Sequence, residues 1–129
     1  MKFLSQDWFD AVNAQVAASD GLKAASANAK FAVQQVVRGA PGGGEIHHYF
    51  RVNHGSVELG LGDIDDSDAT MSADYETASA LNSGELDPMA AFGAGKMLVT
   101  GNMAALMMNQ GVLTQLNLAF EAVRDQTEY

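Results

Sequence analysis

The chain contains no cysteine among its 129 residues. Disulfides, thiol nucleophiles and cysteine-based zinc sites are therefore excluded. The chain also lacks an apolar run of about 18 residues, so the sequence predicts no membrane-spanning helix and no stable insertion into a bilayer. The first residues, MKFLSQDW, are too polar for the apolar region of a signal peptide. The cytoplasm is therefore the expected location.

Basic residues are scarce as well. Seven Lys and Arg stand against 16 Asp and Glu, which gives a net charge of −9. Because no basic cluster is present to displace counterions, binding to nucleic acid is not expected. The same charge disfavours docking on anionic membrane surfaces. The length and the 47% hydrophobic content fit one globular domain spanning residues 1–129.

The first half of the sequence predicts helices followed by antiparallel strands. Ser5 is a good N-cap for an amphipathic helix over residues 5–18, which the pair at residues 20–21 is expected to break. Residues 22–28 predict a short second helix. Alternating apolar residues then mark three strands with short connections: Lys30–Arg38, Ile46–Asn53 and Ser56–Leu61.

The second half mixes helices with two further strands. An acidic turn at residues 62–68 is expected to be solvated, and the polar end RDQTEY is expected to fray. Strands segregated from helices predict an α+β fold, with helices packed on one face of a mostly antiparallel sheet. The predicted elements are a strand at Ala69–Ala73, a helix from Asp74 to Leu81, a short helix at Pro88, a fifth strand at Lys96–Thr100, a helix after Asn102 and a final helix after Gly111.

A glycine-rich segment, Gly93 to Lys96, is similar to a phosphate-binding loop. It departs from that motif at Ala90, where the first glycine should be, and at Met97, where a hydroxyl residue should bind magnesium. Lys96 also opens a strand, so no helix N-terminus is aimed at a phosphate. The segment predicts a tight turn, and no cofactor is expected.

The histidines and acidic residues do not form a metal motif. His47 and His48 are neighbours in a strand and must point to opposite faces, and His54 lies about 20 Å from His48 along an extended chain. Residues 63–68 lack the glycine and the glutamate of a calcium loop. We expect no metal site and histidines on a surface of the sheet.

No catalytic constellation is evident either. The sequence contains no serine in a nucleophile-elbow context and no paired carboxylates in an apolar setting. Tyr49 and Tyr75 are the residues that could polarise a ketone together with an Asp, although their spacing does not support it. The prediction is a non-catalytic protein, with a small enzyme acting on an apolar ketone or ester as an alternative.

Methionine is concentrated in one stretch, Gly84–Gly111, which holds five of the seven methionines. Methionines at helical spacing are usually ordinary residues of the hydrophobic core. Their flexible thioether chains also adapt to ligands of differing shape, which suits an apolar pocket. Composition alone leaves both interpretations open.

Three short elements follow one another here at characteristic spacing. They are Ala69–Asp74 (ATMSAD), the Leu-Asp-Pro segment within Leu81–Pro88, and Ala91–Met103 with its Ala-Phe, Gly-Lys-Met and Gly-Asn-Met pieces. This order resembles the sterol carrier protein family, the nonspecific lipid-transfer proteins. The chain offers no evident anchor for a sterol hydroxyl, and its Thr-Glu-Tyr end lacks a peroxisomal address.

The resemblance implies a five-stranded mixed sheet covered on one face by helices, with an internal hydrophobic tunnel between them. It implies binding and transport of fatty acids, acyl chains or sterol-like lipids, or a role as an accessory module that presents a hydrophobic intermediate to a partner enzyme. The pocket wall that it implies comprises Phe92, Met97, Val99, Met103, Leu106 and Met107, and the lid or floor comprises Leu113, Leu116 and Phe120.

Overall fold

The computed structural model describes residues 1–128, and it describes the side chains of all of these except residues 88 and 89. Met89 of the methionine-rich stretch and Tyr129 therefore lie outside the described side chains. The helices are α1 (Gln6–Ala18), α2 (Asp20–Ser26), α3 (Tyr75–Ser83), α4 (Pro88–Gly93), α5 (Met103–Met108) and α6 (Gln110–Val123), followed by a 3-10 turn at Arg124–Gln126. The strands are β1 (Lys30–Arg38), β2 (Glu45–Asn53), β3 (Ser56–Leu61), β4 (Ala69–Asp74) and β5 (Met97–Gly101).

The five strands form one mixed sheet in the order β3-β2-β1-β4-β5. β1 is antiparallel to β2 and parallel to β4, while the β2–β3 and β4–β5 pairs are antiparallel. The predicted α+β fold with a mixed, mostly antiparallel sheet is confirmed. Because β3 and β4 lie on opposite sides of the β2–β1 pair, the chain between them has to cross the sheet.

One face of the sheet builds the core. Strand side chains alternate between faces, and the register aligns Val33 with Phe50 on one side and with Ala69 on the other. Apolar rows therefore run across the strands and pack against the helices. The buried cluster includes Phe9, Val12 and Val16 of α1, Leu22 of α2, Phe31, Val33 and Val37 of β1, Phe50 and Val52 of β2, Leu59 of β3, and Val112, Leu116 and Val123 of α6.

Helix α1 begins where its cap predicts. The Ser5 hydroxyl accepts a hydrogen bond from the Trp8 backbone N–H at 3.3 Å, which satisfies one of the free donors of the first turn. Trp8, Phe9, Val12 and Val16 are all buried. Their helical spacing therefore puts one stripe of α1 into the core.

Two glycines that we expected to break helices lie inside them. Gly21 belongs to α2, which starts at Asp20 because the Ser19 hydroxyl accepts from the Leu22 N–H at 3.1 Å. Gly111 lies in the first turn of α6, and the chain bends instead at Asn109. A glycine costs a helix only about 1 kcal/mol, which a cap or tertiary packing offsets.

The polar C-terminal segment does not fray over residues 124–128, so that expectation is wrong there. The backbone N–H of Phe3 donates to the Glu128 carbonyl at 3.0 Å, and the Thr127 hydroxyl donates to the Val123 carbonyl at 2.7 Å. Because the N-terminal residues supply backbone partners, the two chain ends are held together.

The acidic segment at residues 62–68 is exposed at all of its aspartates, as expected of a solvated turn. It also forms a strap across the outer face of the sheet. Gln34 is buried in that face and accepts at Oε1 from the Ile64 N–H at 2.8 Å. The Asp68 carboxylate accepts from the Ala32 N–H at 2.9 Å. These side chains satisfy backbone groups that the crossing would otherwise leave unpaired.

The two edges of the sheet differ. At β3, the Asn13 side chain of α1 donates to the Leu59 carbonyl at 2.8 Å and accepts from the Leu59 N–H at 2.9 Å. This amide takes the place of a further strand and blocks edge-to-edge pairing. Among the hydrogen bonds of residues 1–128, none caps β5 in this way. The open edge therefore lies in the methionine-rich stretch.

Candidate functional site

Strand β5 turns alternate side chains toward the helices. Met97 pairs with Ala73 and Val99 with Met71, and all four lie on the core face of the sheet. Met97 is buried and Val99 is half-buried. Leu98 points to the opposite face and is 54% exposed. The strand thus brings two of the nine predicted site residues to the side that the helices cover.

Gly101 directs the chain as it leaves β5. Its φ is +92°, and a Cβ atom there would lie 2.7 Å from the Asp68 carbonyl oxygen and 3.0 Å from Ala69 Cα. The absence of a side chain lets the Asn102 N–H donate to the Asp68 carbonyl at 2.8 Å. The Asn102 side chain then accepts from the Ala105 N–H and caps α5. This close approach fixes the start of α5 beside the sheet edge.

The surface around α4 and α5 is apolar and exposed. From Met97 to Phe120 the chain carries no Lys, Arg, Asp or Glu, although its net charge is −9. Grouped large apolar side chains on a surface mark interaction sites. The exposed members here are Phe92 (42%), Met103 (40%), Met107 (65%) and Met108 (84%).

Helix α6 places an apolar stripe against the core. Leu113, Leu116 and Phe120 follow the helical repeat, with Leu116 buried and the other two half-buried. Leu106 of the preceding helix packs against the same cluster. Leu118 lies on the opposite side of α6 and is 50% exposed.

An aromatic cluster formed by Trp8, Phe3 and Phe9 packs against Phe120. The Trp8 ring stacks on it, with ring centroids 5.6 Å apart and planes at 20°. Phe3 and Phe9 meet the same indole edge to face at 5.2 and 4.9 Å. Trp8 is 1% exposed, and its Nε1–H has no hydrogen-bond partner among the described residues. The sequence indicated only that Trp8 is a core residue of α1, because spacing carries no information about a missing acceptor.

The nine predicted site residues occupy four elements: α4, β5, α5 and α6. Helix α4 contacts β5, and α5 contacts both β4 and α6, whereas α6 packs mainly against α1 and α2. The role of the nine residues in binding a ligand stays a prediction, and so does the tunnel. Two depressions of the described surface lie elsewhere. One of about 330 Å³ is lined by residues that include Leu22 and Val57, and one of about 480 Å³ by residues that include Tyr75 and Ser79.

The tyrosines of the alternative enzyme hypothesis are not brought together. Tyr49 lies on the outer face of the sheet, where its hydroxyl donates to Glu58 at 2.8 Å. Tyr75 opens α3, and its ring lies 5.8 Å from that of Phe3 on the helix side. Within residues 1–128, no group of three acidic or histidine side chains is arranged to hold a metal ion. Of the helices in that range, none combines the length and the apolar content that crossing a bilayer requires.

The two neighbouring histidines point to opposite faces as predicted. His47 is partly exposed between Glu45 and Asp63, at 2.9 and 2.6 Å, and its hydrogen bond to Glu45, followed by that to Asp63, raises its pKa. The expectation of a surface position is wrong for His48, which is only 8% exposed and contacts the Phe9 ring at 5.6 Å. Burial lowers the pKa of His48 to about 4. The alternation along β2 puts His48 on the same face as Ile46, Phe50 and Val52, and this signal could have predicted its burial.

Comparison with known families gives one match. The profile of the SCP-2 sterol transfer family matches residues 9–114, which is most of the chain. A search of the curated proteins found no significant match.

Solved structures with the same fold include sterol carrier proteins. A conserved hypothetical protein from Thermus thermophilus, which has been related to sterol carrier protein, is 20% identical with a TM-score of 0.75, covering 100% of this chain and 92% of that one. A sterol carrier protein 2 is 20% identical with a TM-score of 0.73, covering 90% and 95%. UbiJ-SCP2, a ubiquinone synthesis protein, is 18% identical with a TM-score of 0.60, covering 86% of each chain. At these identities the likeness establishes the fold.

Proposed function

The chain belongs to the SCP-2 sterol transfer family, whose domains bind and transfer lipids, and from this premise we propose that it is a non-catalytic carrier of hydrophobic small molecules. The cargo would be fatty acids, acyl chains or sterol-like lipids. It would lie in the apolar layer between the core face of β4–β5 and helices α5 and α6. We also propose the cytoplasm as its location, in keeping with the cysteine-free composition.

The observation that carries this proposal is the uncharged run Met97–Phe120, which contributes both buried and exposed apolar residues. Met97 and Leu116 belong to the buried layer, while Met103 and Met107 extend it to the surface. A ligand entering there would remove apolar surface from water at roughly 25 cal/mol per Å². Flexible methionine side chains support broad specificity, since they adapt to differing shapes.

The placement of the tyrosines supports a carrier over an enzyme. Tyr49 and Tyr75 lie on opposite sides of the sheet, and Tyr49 is engaged by Glu58. A general acid or base must lie within hydrogen-bond reach of the reacting group, together with its partners. Tyr75 packs against the same hydrophobic cluster as Leu113 and Phe120, but Tyr49 is not there to assist it.

A second candidate function is an accessory module that presents a hydrophobic intermediate to a partner enzyme. UbiJ-SCP2, which shares the fold, is described as a ubiquinone synthesis protein. The exposed Met107 and Met108 and the uncapped edge of β5 would offer a partner protein an apolar surface. A strongly acidic surface also favours delivery to a protein over adsorption to anionic lipid.

Larger side chains at the exposed apolar surface of α4 and α5, the proposed entrance for the ligand, should weaken ligand binding without unfolding the domain. Because Phe92 and Met103 are each about two-fifths exposed, Phe92→Trp and Met103→Trp add bulk where the fold tolerates it. We expect each variant to bind a fluorescent fatty acid about tenfold more weakly, because the larger ring takes up space that the ligand would occupy. Titration followed by fluorescence measures the affinity, and thermal unfolding verifies the fold.

Leu118→Trp is the matched control. Leu118 is 50% exposed on the side of α6 that faces away from the proposed site, so this variant should keep the affinity of the unmodified protein. Unchanged affinity in folded Phe92→Trp and Met103→Trp would remove both residues from the site.

A further inference from the structure

The only tryptophan of the chain has a buried hydrogen-bond donor without an acceptor. Trp8 is 1% exposed, and its Nε1–H has no partner among residues 1–128. Buried side-chain donors are nearly always paired, and each exception calls for an explanation. The three rings that contact the indole, those of Phe3, Phe9 and Phe120, carry no lone pair, and their π faces accept an N–H only weakly.

The unpaired donor belongs to a ring that backs the proposed ligand site. The indole stacks directly on Phe120, the last residue of the apolar stripe of α6. From Leu113 to Phe120 this stripe runs for about 10 Å at the helical rise of 1.5 Å per residue. A ligand lying along the stripe would therefore extend from the methionines of α5 to Phe120, the residue on which the indole stacks.

We propose that Trp8 Nε1–H donates a hydrogen bond to a carbonyl oxygen at one end of an otherwise apolar ligand. This inference rests on the proposed carrier function and narrows its cargo to acyl esters and ketones over plain hydrocarbons. A neutral carbonyl suits the position better than an ionised carboxylate. The indole is a neutral donor among apolar rings, and the run Met97–Phe120 supplies no cation to pair with a buried charge.

The hydrogen bond from Trp8 to the ligand oxygen would mainly determine which apolar ligands the protein prefers. In the ligand-free protein the indole N–H is already removed from water. A ligand oxygen that accepts from it therefore gains a hydrogen bond without a further desolvation cost for the indole. A hydrocarbon of equal length buries the same apolar surface and leaves the donor unpaired. Trp8 would thus select among ligands that the apolar layer alone holds with similar affinity.

Nuclear magnetic resonance tests the contact directly, because one tryptophan gives one indole N–H signal. Methyl palmitate added to the isotope-labelled full chain should move that signal downfield and slow its hydrogen exchange. Hexadecane should shift backbone amides of α6 and leave the indole N–H in place. An unmoved indole signal while methyl palmitate shifts the α6 amides would overturn the proposal. If neither probe shifts any amide, it is the carrier function itself that fails.

Replacement of the donor provides the second test. Trp8→Phe keeps an aromatic ring next to Phe120 and removes the N–H. We expect its affinity for methyl palmitate to fall about tenfold and its affinity for hexadecane to stay within about twofold. Phe120→Leu keeps the donor and removes the stacked ring, and it should weaken both ligands alike. If Trp8→Phe lost affinity equally for methyl palmitate and hexadecane, Trp8 would be a packing residue and the proposal would fail. If this variant does not fold, the NMR experiment on the unmodified chain is the deciding test.

Discussion

Gly101→Ala is expected to lower the free energy of unfolding by about 3 kcal/mol. The residue has a φ of +92°, which strains any residue with a side chain, and the new Cβ would lie 2.7 Å from the Asp68 carbonyl oxygen. That neighbour is backbone, so the strand end must shift and weaken the 2.8 Å hydrogen bond from the Asn102 N–H. Chemical denaturation of the purified variant measures the loss.

Gly111→Ala is the matched control for this prediction. Gly111 lies in the first turn of α6, and nothing lies within 4 Å of the position that its Cβ would take. Alanine there should leave stability unchanged or raise it by up to about 1 kcal/mol. A Gly101→Ala variant as stable as the unmodified protein would contradict the close approach of β5 to the residues that precede β4.

The stability of the domain should also fall as the solution becomes acidic, because His48 is buried in its neutral form. Its pKa is about 4 in the folded protein against an ordinary value of 6.5. The unfolded chain therefore binds the proton first, and stability is lost as pH falls from 6.5 toward 4. We expect this residue alone to account for about 2–3 kcal/mol between about pH 7 and about pH 4.5.

Two variants separate His48 from the other titrating groups. His48→Leu removes the buried imidazole and should flatten the stability profile over that window. His47→Gln should retain the decrease, because His47 is partly exposed and its pKa is raised by Glu45 and Asp63. Denaturation curves at several pH values give the comparison. A His48→Leu variant that loses as much stability as the unmodified protein would show that other groups cause the decrease.

Local sequence patterns predicted most elements because each depends on nearby residues. The alternation of apolar residues sets β1, β2 and β3, and the side chains of Ser5, Asp74 and Asp87 accept the hydrogen bonds that start their helices. Gly84 ends α3 in the left-handed conformation that its residue type predicts. At Gly21 and Gly111 the sequence placed the boundary wrongly, because a single glycine costs a helix too little to end it.

The long-range arrangement could not be predicted from spacing. The strap role of residues 62–68 depends on β3 and β4 lying far apart in the sheet. The capping of the β3 edge by Asn13 joins residues 46 positions apart. The unpaired indole of Trp8 likewise follows from the packing of α1 against α6, on which helical periodicity gives no information.

The candidate site was predicted from a resemblance more than from physics. Composition left the methionines between core filler and pocket wall. The structure places Met97 in the buried layer, with Met103 and Met107 at the surface. This distribution suits an entrance of adaptable side chains above a buried floor. The identity of the floor residues as ligand contacts remains a proposal.

Native mass spectrometry of the gently purified full chain tests the carrier proposal most directly. We predict a species heavier than the 13.6 kDa chain by the mass of one lipid, which disappears after extraction and returns when methyl palmitate is added. A co-purifying enzyme in the same spectrum would favour the accessory module. A protein that shows only its own mass, both as purified and after incubation with methyl palmitate and with hexadecane, would contradict the account.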